Sequence, residues 1–481
     1  MKPVFPSLLA ASAALGLAAC AASDSPKAAK APYRLDFARQ TATRQSAALD
    51  DQTVRYRAYE GIVYVKNPAD AKYETLNIYV PEAYYNGQTI DGYTAATAPI
   101  FFPNQIGGYM PAEPGKPGNS PFDGKLNAML TALSKGYVVA SPGARGRTAA
   151  DGKAPAAIVD LKAAVRYLRA NDAVMAGDAH KIISNGTSAG GALSALLGAS
   201  GNHPDYEPYL KAIGAAKARD DIFAVSAYCP IANLEHADAA YEWQFNGVND
   251  YKKMVMSQMI DWHMERKEVQ GTLTADQIKV SDELKTLFPN YLNSLGLRTV
   301  YGKRLTLDAQ GNGSFKEHVK SYVIASAQKA LDSGTNLSDV SWLTIKNGKV
   351  TDLDFKQYVQ YTMRMKTPPA FDALDLSSGE NDLFGTAMVA AKHFTTYGMN
   401  NGLAKGTMAD AQAIKMMNPM SYIGAKDANN AQHWRIRHGT IDRDTSLAIP
   451  VILATKLQQS GKHVDLALPW NRPHSGDYDL D

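Results

Sequence analysis

Residues 184–194 read SNGTSAGGALS, and the reading of this stretch decides the fold. It contains Gly186-Thr187-Ser188-Ala189-Gly190. So short a pattern occurs by chance, so its meaning lies in its flanks. Upstream, KIISNG (181–186) is an apolar run of strand type. Downstream, GGALSALLGAS (190–200) spaces its apolar residues as a helix does. A serine at a strand-to-helix join, between glycines that allow a sharp strained turn, is the setting of a nucleophile elbow. There the Ser188 hydroxyl stands at a helix N-terminus, and the N–H of Ala189 faces a developing oxyanion. The competing reading is a glycine-rich turn with no chemistry. Partners for the serine elsewhere in the chain separate the two.

Further out, VRYRAYEGIVYV (54–65) and ETLNIYV (74–80) alternate polar and apolar residues and predict early strands, a hairpin and a sheet edge. APIFF (98–102) predicts a short buried strand that breaks at Gly107-Gly108. An apolar strand over 136–141 and a helix over 155–170 follow. Strand–loop–strand–helix–strand–helix predicts an α/β fold with a parallel, doubly wound sheet. The pattern fades after residue 228. Residues 229–415 hold polar helical segments, with one small β element at 340–353, and predict a large, mostly helical inserted lid domain. Strand character returns in QHWRIRHG (432–439), followed by a helix kinked or begun at Pro450 and a last strand in HVDLALPW (463–470). The core therefore falls in two parts, 34–228 and 416–481.

The serine needs a base and an orienting acid later in the chain. His474, in NRPHSGDYDLD, follows the last strand. Asp442, in RHGTIDRDTS, follows the strand before it, with Asp444 competing for the acid's role and His438 an alternative base that fits the order poorly. A second oxyanion donor is expected from the glycine loop at Gly107 and Gly108.

Composition narrows the alternatives. The 481 residues carry 50 basic and 47 acidic side chains, so no field of one sign argues for a nucleic-acid partner. The histidines lack HExxH spacing, no CxxC pair occurs, and no GxGxxG phosphate loop sits in a suitable setting, so neither metal nor other cofactor is expected. His236 and Asp238 lie near each other in LEHADAAYEW, which is weak support for a metal. Residues 1–20 read as an export signal ending Leu17-Ala18-Ala19-Cys20, which resembles the bacterial lipoprotein signal. Cys20 is then the lipidated residue, 21–33 a flexible tether, and the location the cell envelope, facing the periplasm or exterior. Cys229, the other cysteine, is expected to be a buried small residue.

Five segments carry a resemblance to a known family: PNQIGGYMP, SNGTSAGG, KTPPAFDALDLSSGENDLFG, HWRIRHGTIDRDTSLAIP and ALPWNRPHSGDYDL. In this order, over most of the mature chain, they resemble the bacterial tannases, which are α/β-hydrolases acting on gallic acid esters. The resemblance implies Ser188 as nucleophile, Asp442 as acid and His474 as base. It also implies contacts from Lys366, Glu380 and Asp444 to the three hydroxyls of a galloyl ring. Nothing in composition or spacing selects Lys366 or Glu380. Carboxylates and an ammonium do suit three adjacent phenolic hydroxyls, which both donate and accept. The implied activity is serine-dependent hydrolysis of tannins and simple gallates, with depsides also in view. A feruloyl or other phenolic-ester esterase, and an inactive lipid-anchored phenolic-binding protein, are the alternatives. Family members usually run on into a terminal helix after GDYDL. This chain stops at Asp481, so looser packing around His474 is an expectation.

Overall fold

The computed structural model describes residues 32–119, 127–256, 266–403 and 405–478. The expected signal, Cys20 and nearly all of the tether lie outside them. Among the described residues no helix is long and apolar enough to cross a membrane.

A nine-stranded sheet forms the centre, in the order β1-β2-β3-β5-β4-β6-β7-β12-β13. Its first strands are β1 (Thr43–Leu49), β2 (Gln52–Val63) and β3 (Thr75–Pro81), and they pair antiparallel. The polar, small-residue strand β1 carries no apolar alternation, and sequence reading passes over it. β3 lies antiparallel to β5 (Val138–Pro142). From β5 onward the strands run parallel through β4 (Pro99–Pro103), β6 (Asp178–Thr187), β7 (Ala224–Tyr228), β12 (His433–Arg437) and β13 (His463–Ala467). The predicted parallel sheet is thus a mixed sheet with an antiparallel edge. The central parallel strands β5 and β4 are buried along their whole length, as expected where helices cover both faces, whereas the edge strand β13 is only partly buried. Helices α1 (Ala128–Ser134), α2 (Ala156–Ala170), α3 (Ala189–Ala199), α4 (Glu207–Ala212) and α12 (Ala448–Gln459) lie between the core strands in the chain. Pro450 sits in the first turn of α12, where a missing N–H costs nothing.

Between β7 and β12 the chain leaves the sheet and builds a largely helical lid. Its helices are α5 (Leu234–Phe245), α6 (Ala275–Ser294), α7 (Ser314–Asp332), α8 (Phe355–Thr362), α9 (Gly379–Leu383), α10 (Thr396–Asn401) and α11 (Ala411–Met416). A hairpin of β10 (Leu343–Lys346) and β11 (Lys349–Leu353) occupies the small β segment. A second hairpin, β8 (Asp250–Met256) with β9 (Arg266–Thr272), has no counterpart in the sequence reading. Its strands mix charged residues along their length and offer no clean apolar period.

Candidate active site

The elbow is built by close backbone approach. Ser188 links β6 to α3 with φ 62° and ψ −124°, a strained conformation for a residue with a side chain. Its N–H donates to the Tyr228 carbonyl at 3.0 Å, and its own carbonyl accepts from Ile231 N–H at 3.2 Å, so the end of β7 supports the turn. The flanking glycines are steric necessities. A Cβ on Gly186 would lie 2.4 Å from the Gly190 carbonyl oxygen, and one on Gly190 would lie 2.5 Å from Asn104 Oδ1.

Asn104, at the end of β4, ties the elbow to the glycine loop. Its buried Nδ2 donates to the carbonyls of Asn185 (3.0 Å) and Gly190 (3.1 Å) and to Ser194 Oγ (3.0 Å), while its Oδ1 accepts from Ile106 N–H (3.3 Å). Sequence reading missed this residue, although an asparagine just before a Gly-Gly loop at a strand end is its one signal. Gly107 and Gly108 are exposed, and Gly108 has φ 53°. Among the described residues, the N–H groups of Gly107, Gly108 and Ala189 donate to no protein group.

The later loops bring the acid and base together. The His474 ring Nδ1 lies 2.8 Å from Asp442 Oδ2 and 3.6 Å from Asp444 Oδ2. Thr440 N–H donates to the Pro469 carbonyl (3.1 Å), and Ile441 N–H donates to that of Arg472 (3.2 Å), so the Asp442 and His474 loops are laced together. The His474 loop also leans on the elbow, because a Cβ on Gly476 would fall 1.7 Å from Thr187 Oγ1. Beyond it, the Asp477 carboxylate accepts from Asn185 Nδ2 (3.0 Å) and Ala128 N–H (3.3 Å). Among the described residues the Ser188 hydroxyl makes no hydrogen bond. A nucleophile–base contact of this kind commonly tightens only with substrate bound.

Burial alone would raise the Asp442 carboxyl. The charges of His474 and His438 outweigh it and hold the group well below the usual carboxylate range. Burial pulls the His474 imidazole down, but Asp442 and Asp444 together push it well above its ordinary value. His438 is fully buried, lies 3.7 Å from Asp442, and is pushed down by its burial. Cys229 is buried as well, yet its thiol faces the same pair. Its Sγ, an Asp442 oxygen and a His474 nitrogen all lie within 4.8 Å of one another. Burial, with Asp442 beside it, pushes the thiol up to about 11. Nothing in the sequence signals that contact.

Lid residues complete the grouping. Lys366 Nζ lies 4.0 Å from Asp444 Oδ1 and 4.0 Å from the centre of the Phe371 ring. Glu380 lies in the first turn of α9; burial raises its carboxyl, while Lys366 and Arg147 oppose that and Asp444 reinforces it. Tyr241, fully buried on α5, joins two of the contributing segments. Its hydroxyl accepts from the N–H groups of Met365 (3.1 Å) and Lys366 (3.0 Å) and donates to the Arg443 carbonyl (3.0 Å). The other weighed pair separates. His236 stacks on Tyr291 with ring centres 3.5 Å apart, whereas Asp238 accepts from the N–H groups of Phe371 (2.7 Å) and Asp372 (3.0 Å).

A largely parallel sheet with a strained serine at its strand–helix elbow, and a histidine–carboxylate pair on loops after two later strands, defines a serine hydrolase of the α/β-hydrolase fold. A family model described as BD-FAE matches residues 118–276. No curated protein matches the chain by sequence. Solved structures do. The tannase of Fusobacterium nucleatum is 54% identical, over 93% of this chain and 97% of that one, with a TM-score of 0.89. The tannase of Lactobacillus plantarum is 47% identical, over 93% of this chain and 97% of that one, with a TM-score of 0.90. A tannin acyl hydrolase solved in complex with ethyl gallate is also 47% identical, over 91% of this chain and 95% of that one, with a TM-score of 0.86. The chain belongs to the tannase family.

Proposed function

We propose that this protein is a serine esterase that cleaves galloyl esters, in tannins and in simple gallates, and releases gallic acid. Ser188 Oγ attacks the ester carbonyl while His474 takes its proton, and Asp442 orients the imidazole and stabilises its charged form. The N–H groups of Ala189 and of the Gly107-Gly108 loop receive the oxyanion. The imidazolium then protonates the leaving alcohol, and a water deprotonated by His474 releases gallic acid from the acyl-enzyme.

The observation that carries the substrate assignment is the neighbourhood of Asp444, Lys366 and Glu380 next to the histidine. Two carboxylates and one ammonium offer acceptors and a donor to three adjacent phenolic hydroxyls. A ring lacking a hydroxyl leaves one of these half-buried groups unpaired, which is a strong basis for rejection. The solved relative bound to ethyl gallate supports the same reading. We also infer an envelope lipoprotein, lipidated at Cys20, from the Leu17-Ala18-Ala19-Cys20 sequence.

The deciding experiment is hydrolysis of methyl gallate beside methyl ferulate by the full chain and by its Ser188→Ala form. Serine-dependent preference for gallate is the expected result. Equal or faster ferulate cleavage would overturn the three-hydroxyl specificity and leave a broader phenolic esterase. Absence of any ester cleavage by the folded protein would favour a binding protein.

A further inference from the structure

One side chain reaches from the glycine loop of the core to the lid helix that begins beside Glu380. Arg147 lies on the loop after β5. The root of that loop is fixed by buried Arg145, whose Nη2 is 2.7 Å from Asp160 Oδ1 on α2. The Arg147 backbone N–H donates to the Tyr109 carbonyl at 2.9 Å, and its Nε donates to the Gly108 carbonyl at 2.7 Å. From the other end of the guanidinium, Nη1 donates to Asp382 Oδ2 at 2.8 Å. Asp382 lies on α9, two residues beyond Glu380. A Cβ on Gly379 would lie 3.0 Å from Arg147 Cζ, so the guanidinium lies against the first turn of that helix. Lys153 holds Asp382 from a second side, contacting its carboxylate and donating to its carbonyl at 3.0 Å.

We propose that Arg147 is a positioning residue that couples ring recognition at Glu380 to the oxyanion loop at Gly108. The inference rests on the galloyl-esterase reading of the site. A planar guanidinium with donors in a fixed fork cannot keep both bonds if α9 and the glycine loop move apart. A ring hydroxyl that holds Glu380, and with it α9, therefore also holds the Gly108 carbonyl and sets the direction of the loop's N–H groups. Occupancy of Glu380 then raises kcat as well as lowering KM, because the loop acts on the oxyanion formed in the transition state.

The test is a double-mutant cycle on kcat for methyl gallate, with wild type, Glu380→Gln, Arg147→Met and the double variant. Glu380→Gln alone is expected to lower kcat about tenfold, and Arg147→Met by a similar factor, while the double variant falls no more than about twofold below Arg147→Met. Arg147→Met is also expected to slow 4-nitrophenyl acetate, whose acyl group has no ring to recognise. Multiplying losses in the double variant would overturn the coupling, as would a Glu380→Gln effect confined to KM. Asp382→Asn reaches the bridge from the lid side and should reproduce the non-additivity if Arg147→Met proves too unstable to assay. Arg147→Lys keeps the charge and should keep the melting temperature but not the coupling, so Glu380→Gln should cost little further kcat in that background; a full tenfold Glu380→Gln loss there would overturn the two-bond bridge. Failure of the wild type to cleave methyl gallate would instead sink the substrate reading itself.

Discussion

The catalytic edge of the sheet and the lid contribute to one site by different means. Ser188, Asp442 and His474 stand on short loops directly after β6, β12 and β13, so strand register positions them. Lys366 and Glu380 stand within a long excursion, and individual side chains hold them in place: Tyr241 for the Lys366 segment, Arg147 and Lys153 for α9. The proposed catalytic groups are thus fixed by strand register within the sheet. The groups proposed to choose the substrate hang on a few polar contacts, each removable by one substitution. Apart from the Arg147 bridge, a lid of this kind can change specificity without disturbing the chemistry.

Ser188→Ala should separate the two regions most sharply. It is expected to lower kcat by a factor of about 10⁴ or more on every ester, with gallate binding retained in calorimetry. Loss of binding as well would mean that the regions are not separable. Next in size, Lys366→Met and Glu380→Gln should each lower kcat/KM for methyl gallate by about 100-fold, because a charge-assisted hydrogen bond is lost. Comparable loss on 4-nitrophenyl acetate would show that they serve chemistry rather than choice.

Tyr241→Phe leaves two N–H groups and one carbonyl without their shared partner. A loss of about 1–3 kcal/mol in unfolding free energy is expected, together with a raised KM for gallate. An unchanged denaturation midpoint would mean that the lid does not depend on this hydroxyl. The smallest effect expected is the shift that Asp444→Asn makes in the pH profile of an ester without a phenolic acyl ring. Asp444 stabilises the charged imidazole, so its neutral replacement should lower the His474 pKa. The base must be neutral to act, so the acid limb of kcat/KM for 4-nitrophenyl acetate should move to lower pH, by about half a unit to one unit. Movement in the opposite direction would contradict the electrostatics of the pair.

This division also explains what the sequence discloses. The elbow is local: strand, Gly186, Ser188, Gly190 and helix are contiguous, so periodicity and glycine placement expose it. His474 is suggested by its order after the last strand, whereas order leaves Asp442 and Asp444 in competition for the acid and likeness to a family points to Asp442. Lys366 and Glu380 carry no local pattern, and only likeness to a family singles them out. Asn104, Tyr241 and Arg147 act through contacts far away in the chain. No spacing rule reports that a tyrosine on α5 will meet the backbone at 365, 366 and 443. The hairpin β8–β9 and edge strand β1 escape reading for a related reason, since their polar residues leave no one-sided apolar stripe.

The separation of Ser188 from β12 and β13 has a consequence for the order in which activity arises. The strand, turn and helix around the serine leave the ribosome early, and β7 can support them at once. The acid and base arrive only with the two strands that complete the far edge of the sheet, after the whole lid has been synthesised. With the proposed triad, a nascent chain halted anywhere before β12 carries its serine without acid or base, and hydrolysis begins only when the segment that follows β13 docks.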